Sequence, residues 1–272
     1  MPRRDRRKQA QKSDRKMGIL LASVGMIFMS ALGGAAVWVT VSDDPIDSTT
    51  NCPKSGPHSV HVVMFDRSDP IKPQQAQRIR QVLADLKDKA DFGDRFDLYT
   101  FEGDAKNALS PVLEICSPGR NANPLIKNPG RVKQRYESRF SSVIDNTVTE
   151  LLRDSTMPNS PIIESLRAAS ITSFGPFEKG QIPLRLTMIS DMVQHTPWSS
   201  HFRSEPNFQQ LSHTPTWASL RPNLKNADID VLYVLRSEAK RGGVSIQSRG
   251  HQTFWEQLIA SGGGRLTSFE PI

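Results

Sequence analysis

Residues 17–41 (MGILLASVGMIFMSALGGAAVWVTV) run for 25 positions without a charged side chain, and no other feature constrains this chain as strongly. A helix needs about 20 residues to cross a hydrocarbon core of roughly 30 Å, so the stretch is long enough to span a bilayer. The 16 residues before it hold eight Lys/Arg against two Asp, a net of +6. A positive flank resists translocation, so the basic tail is expected in the cytoplasm and everything after Val41 on the exported side of the inner (cell) membrane, in the periplasm. The alternative is a cleaved signal peptide with its processing site among Ala31 to Ala36. The apolar region of such peptides usually runs about 7–15 residues, which favours a retained anchor.

The charge of the whole chain is +7, so removing the tail's +6 leaves +1 for the rest. The basicity therefore belongs to the tail, and it argues for no nucleic-acid face on the folded part. Residues 42–57, rich in Asp, Ser, Thr and Pro, read as a tether, leaving residues 58–272 as one domain. Cys52 and Cys116 both fall on the exported side, where thiols tend to be oxidised, so one disulfide is expected, with two unpaired buried thiols as the alternative. There is no CxxC for a zinc ribbon or thioredoxin-like site.

Val60 to Phe65 (VHVVMF) is a nearly continuous apolar run rich in β-branched residues, the pattern of a strand covered on both faces. Ala76, Ile79, Val82, Leu83, Leu86 and Ala90 then recur at helical spacing within residues 73–90. Strands are expected at residues 95–101 and 109–115. The turn between them, Glu102-Gly103-Asp104, is too short for a crossover helix and makes the third strand antiparallel to the second. A long helix over 132–152, another reaching Ala169, a strand at 184–190, a strand at 229–235, a helix at 252–260 and a strand at 265–269 follow. This alternation predicts an α/β fold, a Rossmann-like doubly wound, mostly parallel six-stranded sheet with one antiparallel edge strand, preceded by one transmembrane helix.

No GxxxxGK[ST] phosphate loop, GxSxG elbow, HExxH or EF-hand loop occurs. Gly262-Gly263-Gly264 follows a helix and precedes a strand, so it reads as a helix C-cap and turn rather than a dinucleotide loop. What remains is a set of oxygen-bearing residues at element ends: Asp66 and Ser68 after the first strand, Ser160 before a helix, and Asp191 after the fourth strand. Each has a bland reading as a cap or turn residue, Ser160 before Pro161 above all. Together they are more informative, because open α/β sheets bind ligands beyond the carboxyl ends of their strands at the switch in winding direction. Two carboxylates and two hydroxyls there are hard oxygen donors of the kind Mg²⁺, Mn²⁺ or Ca²⁺ takes.

The chain resembles the von Willebrand factor type A (VWA) domain. The likeness rests on an apolar strand ending in Asp66-Arg67-Ser68-Asp69-Pro70, on Ser160-Pro161 opening a helix that ends in Ala168-Ala169, and on the strand ending Ile189-Ser190-Asp191. It covers roughly residues 58–271. It implies a metal-ion-dependent adhesion site at Asp66, Ser68, Ser160 and Asp191, a divalent cation (Mg²⁺ first among them) and an acidic group from a protein partner. Pro70 stands where the family has a second Ser, which removes one hydroxyl ligand, and Asp69 compensates only if its loop turns it inward. The resemblance also implies strand order 3-2-1-4-5-6, which puts Cys52 and Cys116 at the sheet end opposite the metal and so implies a Cys52–Cys116 disulfide.

A polar stretch over 195–222 leaves the metal end of the fourth strand and carries Trp198, Phe202, Phe208 and Trp217. Long loops are often functional and aromatics dominate interface energetics, so Asp69, Trp198, Phe202 and Trp217 are the expected partner contacts. The competing reading packs these rings onto their own domain. His195, His201, His213 and His251 lack zinc-ligand spacing. The expected function is a non-catalytic, membrane-anchored interaction or scaffold module of a membrane or envelope complex. The alternatives are a structural domain with a non-functional metal site, or a phosphohydrolase of haloacid-dehalogenase type with Asp66 as nucleophile and Ser190 touching phosphate. The latter lacks the usual second acid, since Ser68 stands in that place.

Overall fold

The computed structural model describes residues 22–30, 45–101, 110–120, 128–153 and 157–272. Residues 22–30 are helical. The rest of the expected 17–41 span lies outside the described residues, and among the described residues no helix is long and apolar enough to cross a membrane.

A second compact unit runs from Ile46 to the C-terminus. It contains β1 (Ser59–Phe65), α1 (Pro73–Asp88), β2 (Asp94–Thr100), β3 (Leu113–Cys116), α2 (Pro129–Tyr136), α3 (Ser142–Leu151), α4 (Ile162–Ala169), β4 (Leu184–Ser190), α5 (Phe208–Ser212), α6 (Pro215–Leu220), β5 (Asp228–Tyr233), β6 (Lys240–Arg241), β7 (Val244–Ser245), α7 (Arg249–Ser261) and β8 (Arg265–Pro271). Six strands form one sheet in the order β3-β2-β1-β4-β5-β8. All pairs are parallel except β2 with β3. This is the order and the antiparallel strand that the resemblance implies.

Alternation along β1 shows why its apolar run is unbroken. Val60, Val62 and Met64 pack into one core with α4, α6 and α7, while Val63 and Phe65 pack into a second core with α1, α2 and α3. Both faces of the strand are covered, so neither parity tolerates a polar residue without a partner. His61 is such a residue, and its Nε2 lies 2.9 Å from Thr187 Oγ1 of β4.

Several boundaries differ from the sequence reading, three of them for a local physical reason. β3 starts at Leu113 rather than 109, because Pro111 has no N–H for the ladder and only Val112 N reaches Leu98 O, at 2.8 Å. Residue 109 and the expected turn at 102–104 lie outside the described residues. The long helix over 132–152 begins earlier, at Pro129 behind an Asn128 cap, and carries a π turn over Glu137–Ser141. The tether is shorter than residues 42–57, because the chain is already part of the folded unit from Ile46. Asp47 Oδ1 accepts from Thr49 N and Thr50 N at 2.8 Å each, and Thr50 O then accepts from Cys116 N at 2.8 Å. Asn51 is buried and its Nδ2 donates to Arg139 O in the π turn at 3.1 Å. Cys52 and Cys116 form a disulfide at this end of the sheet. At the last helix, Gly263 holds φ +77° and Gly264 N donates to Ile259 O at 3.0 Å, so the triple glycine is the expected cap and turn.

Candidate functional site

β1 and β4 are neighbours, and both end at the same edge of the sheet. Asp66 N still donates to Ile189 O at 2.9 Å, so the first residue past β1 is held in the ladder. Its carboxylate then gathers the surrounding hydroxyls. Oδ1 accepts from Ser68 N at 3.0 Å and from Ser68 Oγ at 2.7 Å. Oδ2 accepts from Ser160 Oγ at 3.2 Å and from Ser190 Oγ at 2.6 Å. Asp66 is 6 % exposed.

Ser160 is free to take part because it does not cap α4. The capping position falls at Pro161, and the helix's orphan amide at Ile163 is met instead by Gln194 Oε1, at 3.0 Å. A reciprocal backbone bridge, Ser160 N to His195 O and His195 N to Ser160 O at 2.9 Å each, fixes the segment before α4 against the chain leaving β4. Gln194 was not singled out by the sequence reading, and Ser190 entered it only as the phosphate contact of the phosphohydrolase alternative, not as part of the metal site. Gln194 carries no motif signal, whereas Ser190 stands inside the Ser-Asp that ends β4.

The turn after β4 is strained. Met192 is buried with φ +59°, a conformation a non-glycine residue adopts at a cost of about 1–2 kcal/mol. Ser190 Oγ accepts from Met192 N at 2.7 Å, Asp191 Oδ1 accepts from Val193 N at 2.8 Å, and Met192 O accepts from Trp255 Nε1 at 2.9 Å. These bonds turn the Asp191 carboxylate back toward the strand ends, where it is 4 % exposed. Burial, with the Asp66 charge adding to it, raises the Asp191 pKa well above the usual carboxylate value, against the pull of Arg236.

Arg236, just past β5, is a basic group 3.9 Å from the Asp191 carboxylate and was not anticipated. It is 7 % exposed. One guanidinium nitrogen donates to Pro70 O and the other to Asp69 O, the latter at 3.2 Å. Its Nε lies 3.9 Å from Asp191 Oδ2 and finds no hydrogen-bond acceptor among the described residues. Gln247 braces the same corner, donating to Asp191 O at 3.1 Å and Val234 O at 2.8 Å while accepting from Arg236 N at 2.7 Å.

Above this network is a pocket of about 130 Å³ lined by Ser68, Asp69, Met157, Pro158, Asn159, Ser160, Asp191, Val193, His195 and Phe202. Asp69 is therefore at the pocket, as its loop position allows. Met157 and Phe202 are 39 % and 40 % exposed, an apolar rim over a polar floor. Trp198 is similarly exposed, with its indole N–H donating to Glu164. Trp217 is not available to a partner. It is 5 % exposed and packs edge-on against Phe208 with ring centroids 5.3 Å apart, because α5 and α6 fold the insertion onto the core.

The donors suit a divalent cation in one respect and fail it in two. The hydroxyls of Ser68 and Ser160 give their protons to Asp66, which leaves their lone pairs free. Yet Pro70 has no hydroxyl, and the charge of Arg236 sits 3.9 Å from the Asp191 carboxylate. The set does not fit a resident divalent ion. Among the described residues no group of three or more His, Cys, Asp or Glu is placed to hold a metal. His201 and His251 contact each other instead, Nδ1 to Nε2 at 3.0 Å, with Tyr233 OH 2.7 Å from His251 Nδ1. Burial lowers their pKa values to about 2 and about 4 respectively.

No protein-family model matches the chain, and no curated protein does. Among solved structures it is similar to an aerotolerance-related membrane protein from Bacteroides fragilis NCTC 9343, with 16 % identity over 78 % of this chain and 91 % of that one, at a TM-score of 0.36. A likeness at that score carries no functional argument, and the sheet order and strand-end geometry stand on their own.

Proposed function

We propose that this chain is a single-pass membrane protein displaying a VWA-like interaction domain in the periplasm, where it docks a protein partner of a membrane or envelope complex over the strand-end pocket. The observation that carries this reading is the mouth of the pocket. Met157 and Phe202 stay two-fifths exposed directly beside the buried Ser160 and Asp191 of its floor, and large exposed side chains around a polar centre are what a partner's side chain can cover. In a second reading a divalent cation joins an acidic partner group to the site. The free lone pairs of Ser68 and Ser160 are what it has in its favour, and the missing hydroxyl at Pro70 and the Arg236 charge beside Asp191 stand against it. The phosphohydrolase alternative asks Asp66 to attack a phosphate, whereas each of its oxygens already accepts two hydrogen bonds.

A photo-crosslinking residue placed at Phe202 in cells tests the docking. A discrete adduct is expected there and not at Phe92, which is equally exposed at the opposite end of the sheet. Adducts of equal yield at both positions, or at neither, would remove the support for this surface.

A further inference from the structure

We propose that Arg236 is a built-in counter-cation that takes the place of a divalent metal at the strand ends beneath this pocket, so that the site is assembled and meets its partner without a metal ion. The proposal rests on the docking reading above and adds how the site's charge is balanced.

Three observations converge on it. The first is acceptor capacity. A carboxylate offers about four lone-pair positions, and Asp66 uses four, on Ser68 N, Ser68 Oγ, Ser160 Oγ and Ser190 Oγ. An ion, or a water bound to one, reaches Asp66 only by displacing a hydroxyl. The second is where Arg236 comes from. It is delivered by the strand beyond β4, is almost fully buried, and spends its guanidinium on the carbonyls of Asp69 and Pro70. That is the loop in which the resemblance leads one to expect a further hydroxyl ligand, and Pro70 offers a carbonyl to a guanidinium where a Ser would offer an oxygen to a metal. The loss of the ligand and the gain of the cation are thus two halves of one exchange.

The third is the Nε–H. Nε of Arg236 is buried, unpaired among the described residues, and 3.9 Å from Asp191 Oδ2. Its charge therefore faces Asp191 as a long ion pair without a hydrogen bond. Arginine does not lose its proton in proteins, so this charge is permanent, and a doubly charged ion entering between Asp66 and Asp191 would meet it at short range.

The test uses the full chain in detergent, with thermal unfolding in EDTA and in Mg²⁺, Mn²⁺ or Ca²⁺, and with loss of the free Mn²⁺ paramagnetic resonance signal as an independent readout of binding. The wild type is expected to show neither a shift in Tm nor Mn²⁺ uptake, and Arg236→Lys to behave like it. Arg236→Gln is expected to gain a cation-dependent rise of about 5 °C or more at cation about 100-fold above Kd, reversed by EDTA. Adding Asp191→Asn to that variant should abolish the gain. A wild type that takes up Mn²⁺ and is stabilised by it, or a folded Arg236→Gln that responds no more than the wild type, would overturn the proposal. If Arg236→Gln does not fold, wild-type Mn²⁺ uptake still decides.

The Phe202 crosslink repeated on membranes in EDTA separates this inference from the docking reading. An adduct that persists supports metal-free docking, and one that needs added cation overturns the inference while leaving the docking surface in place. No adduct in either condition overturns the docking reading, and Mn²⁺ uptake then judges the role of Arg236 alone.

Discussion

The two ends of the sheet are built on opposite plans. At the end where β1 and β2 begin, a disulfide joins Cys52 to the last residue of β3, Thr50 O takes the amide of Cys116, and Ser59 Oγ donates to Asp94. That end is closed by a covalent bond and short local hydrogen bonds, although Arg95 Nε and Asp97 Oδ1 are buried there without a hydrogen-bond partner among the described residues. At the other end two carboxylates share a buried corner, Met192 holds a left-handed backbone, and apolar side chains remain exposed around a pocket. One end stabilises the molecule and the other is shaped for contact, because backbone strain and a close pair of carboxylates persist only where the surrounding fold over-determines them.

Breaking the closed end should have the largest effect. The disulfide spans 64 residues of sequence, so its removal by Cys52→Ala with Cys116→Ala, or by reduction, should lower stability by about 4 kcal/mol. Urea midpoints with and without reductant measure this. The Phe202 crosslink should survive wherever the domain is still folded, and its loss there would couple the two ends.

Acid should attack the pocket end next. The folded pKa of His251 is lowered from 6.5 to about 4 by burial. A depressed folded value means the stability is whole above the unfolded pKa and is lost as pH falls from there through the folded one. For this ring the loss should total about 3 kcal/mol. Urea denaturation at a series of pH values should show His251→Gln with a shallower slope than the wild type, and parallel slopes would contradict neutral burial of the ring.

Asp66→Ala should cost about 2 kcal/mol, since the hydroxyls of Ser68, Ser160 and Ser190 lose their common acceptor. The smallest effect sharpens the comparison most, because its sign is opposite. Asp191→Asn removes the like charge beside Asp66 yet keeps an oxygen for Val193 N, and should leave stability unchanged or raise it by up to about 1 kcal/mol. A clear loss in calorimetry would mean that the Asp191–Arg236 attraction outweighs the repulsion.

Much of the fold was legible because periodicity is local. The run Leu184 to Ser190 is β4 to the residue, and the apolar spacing beyond Pro73 is α1. The disulfide was expected from two cysteines on the exported side, with free thiols as the alternative, and the strand order that the resemblance brought put both at one end of the sheet. Ser160 was legible as a candidate but not as a decision, because capping and ligation make the same demand on a Ser before Pro. Gln194, 31 residues from the amide it meets, took the cap and released the hydroxyl. Trp198 and Trp217 looked alike in one aromatic loop, and only packing buried one of them.

By itself, then, the sequence determined the uncharged span behind its basic flank, the alternation of strands and helices, and the carboxylates and hydroxyls at their ends. These depend on neighbours two to four positions apart or on the composition of a short window. The tertiary structure alone decided the balance of charge at the site. Arg236 meets a carbonyl 166 positions away, a contact that exists only because β5 lies beside β4 and β4 beside β1, and no local pattern records which distant loop a strand-end arginine will reach.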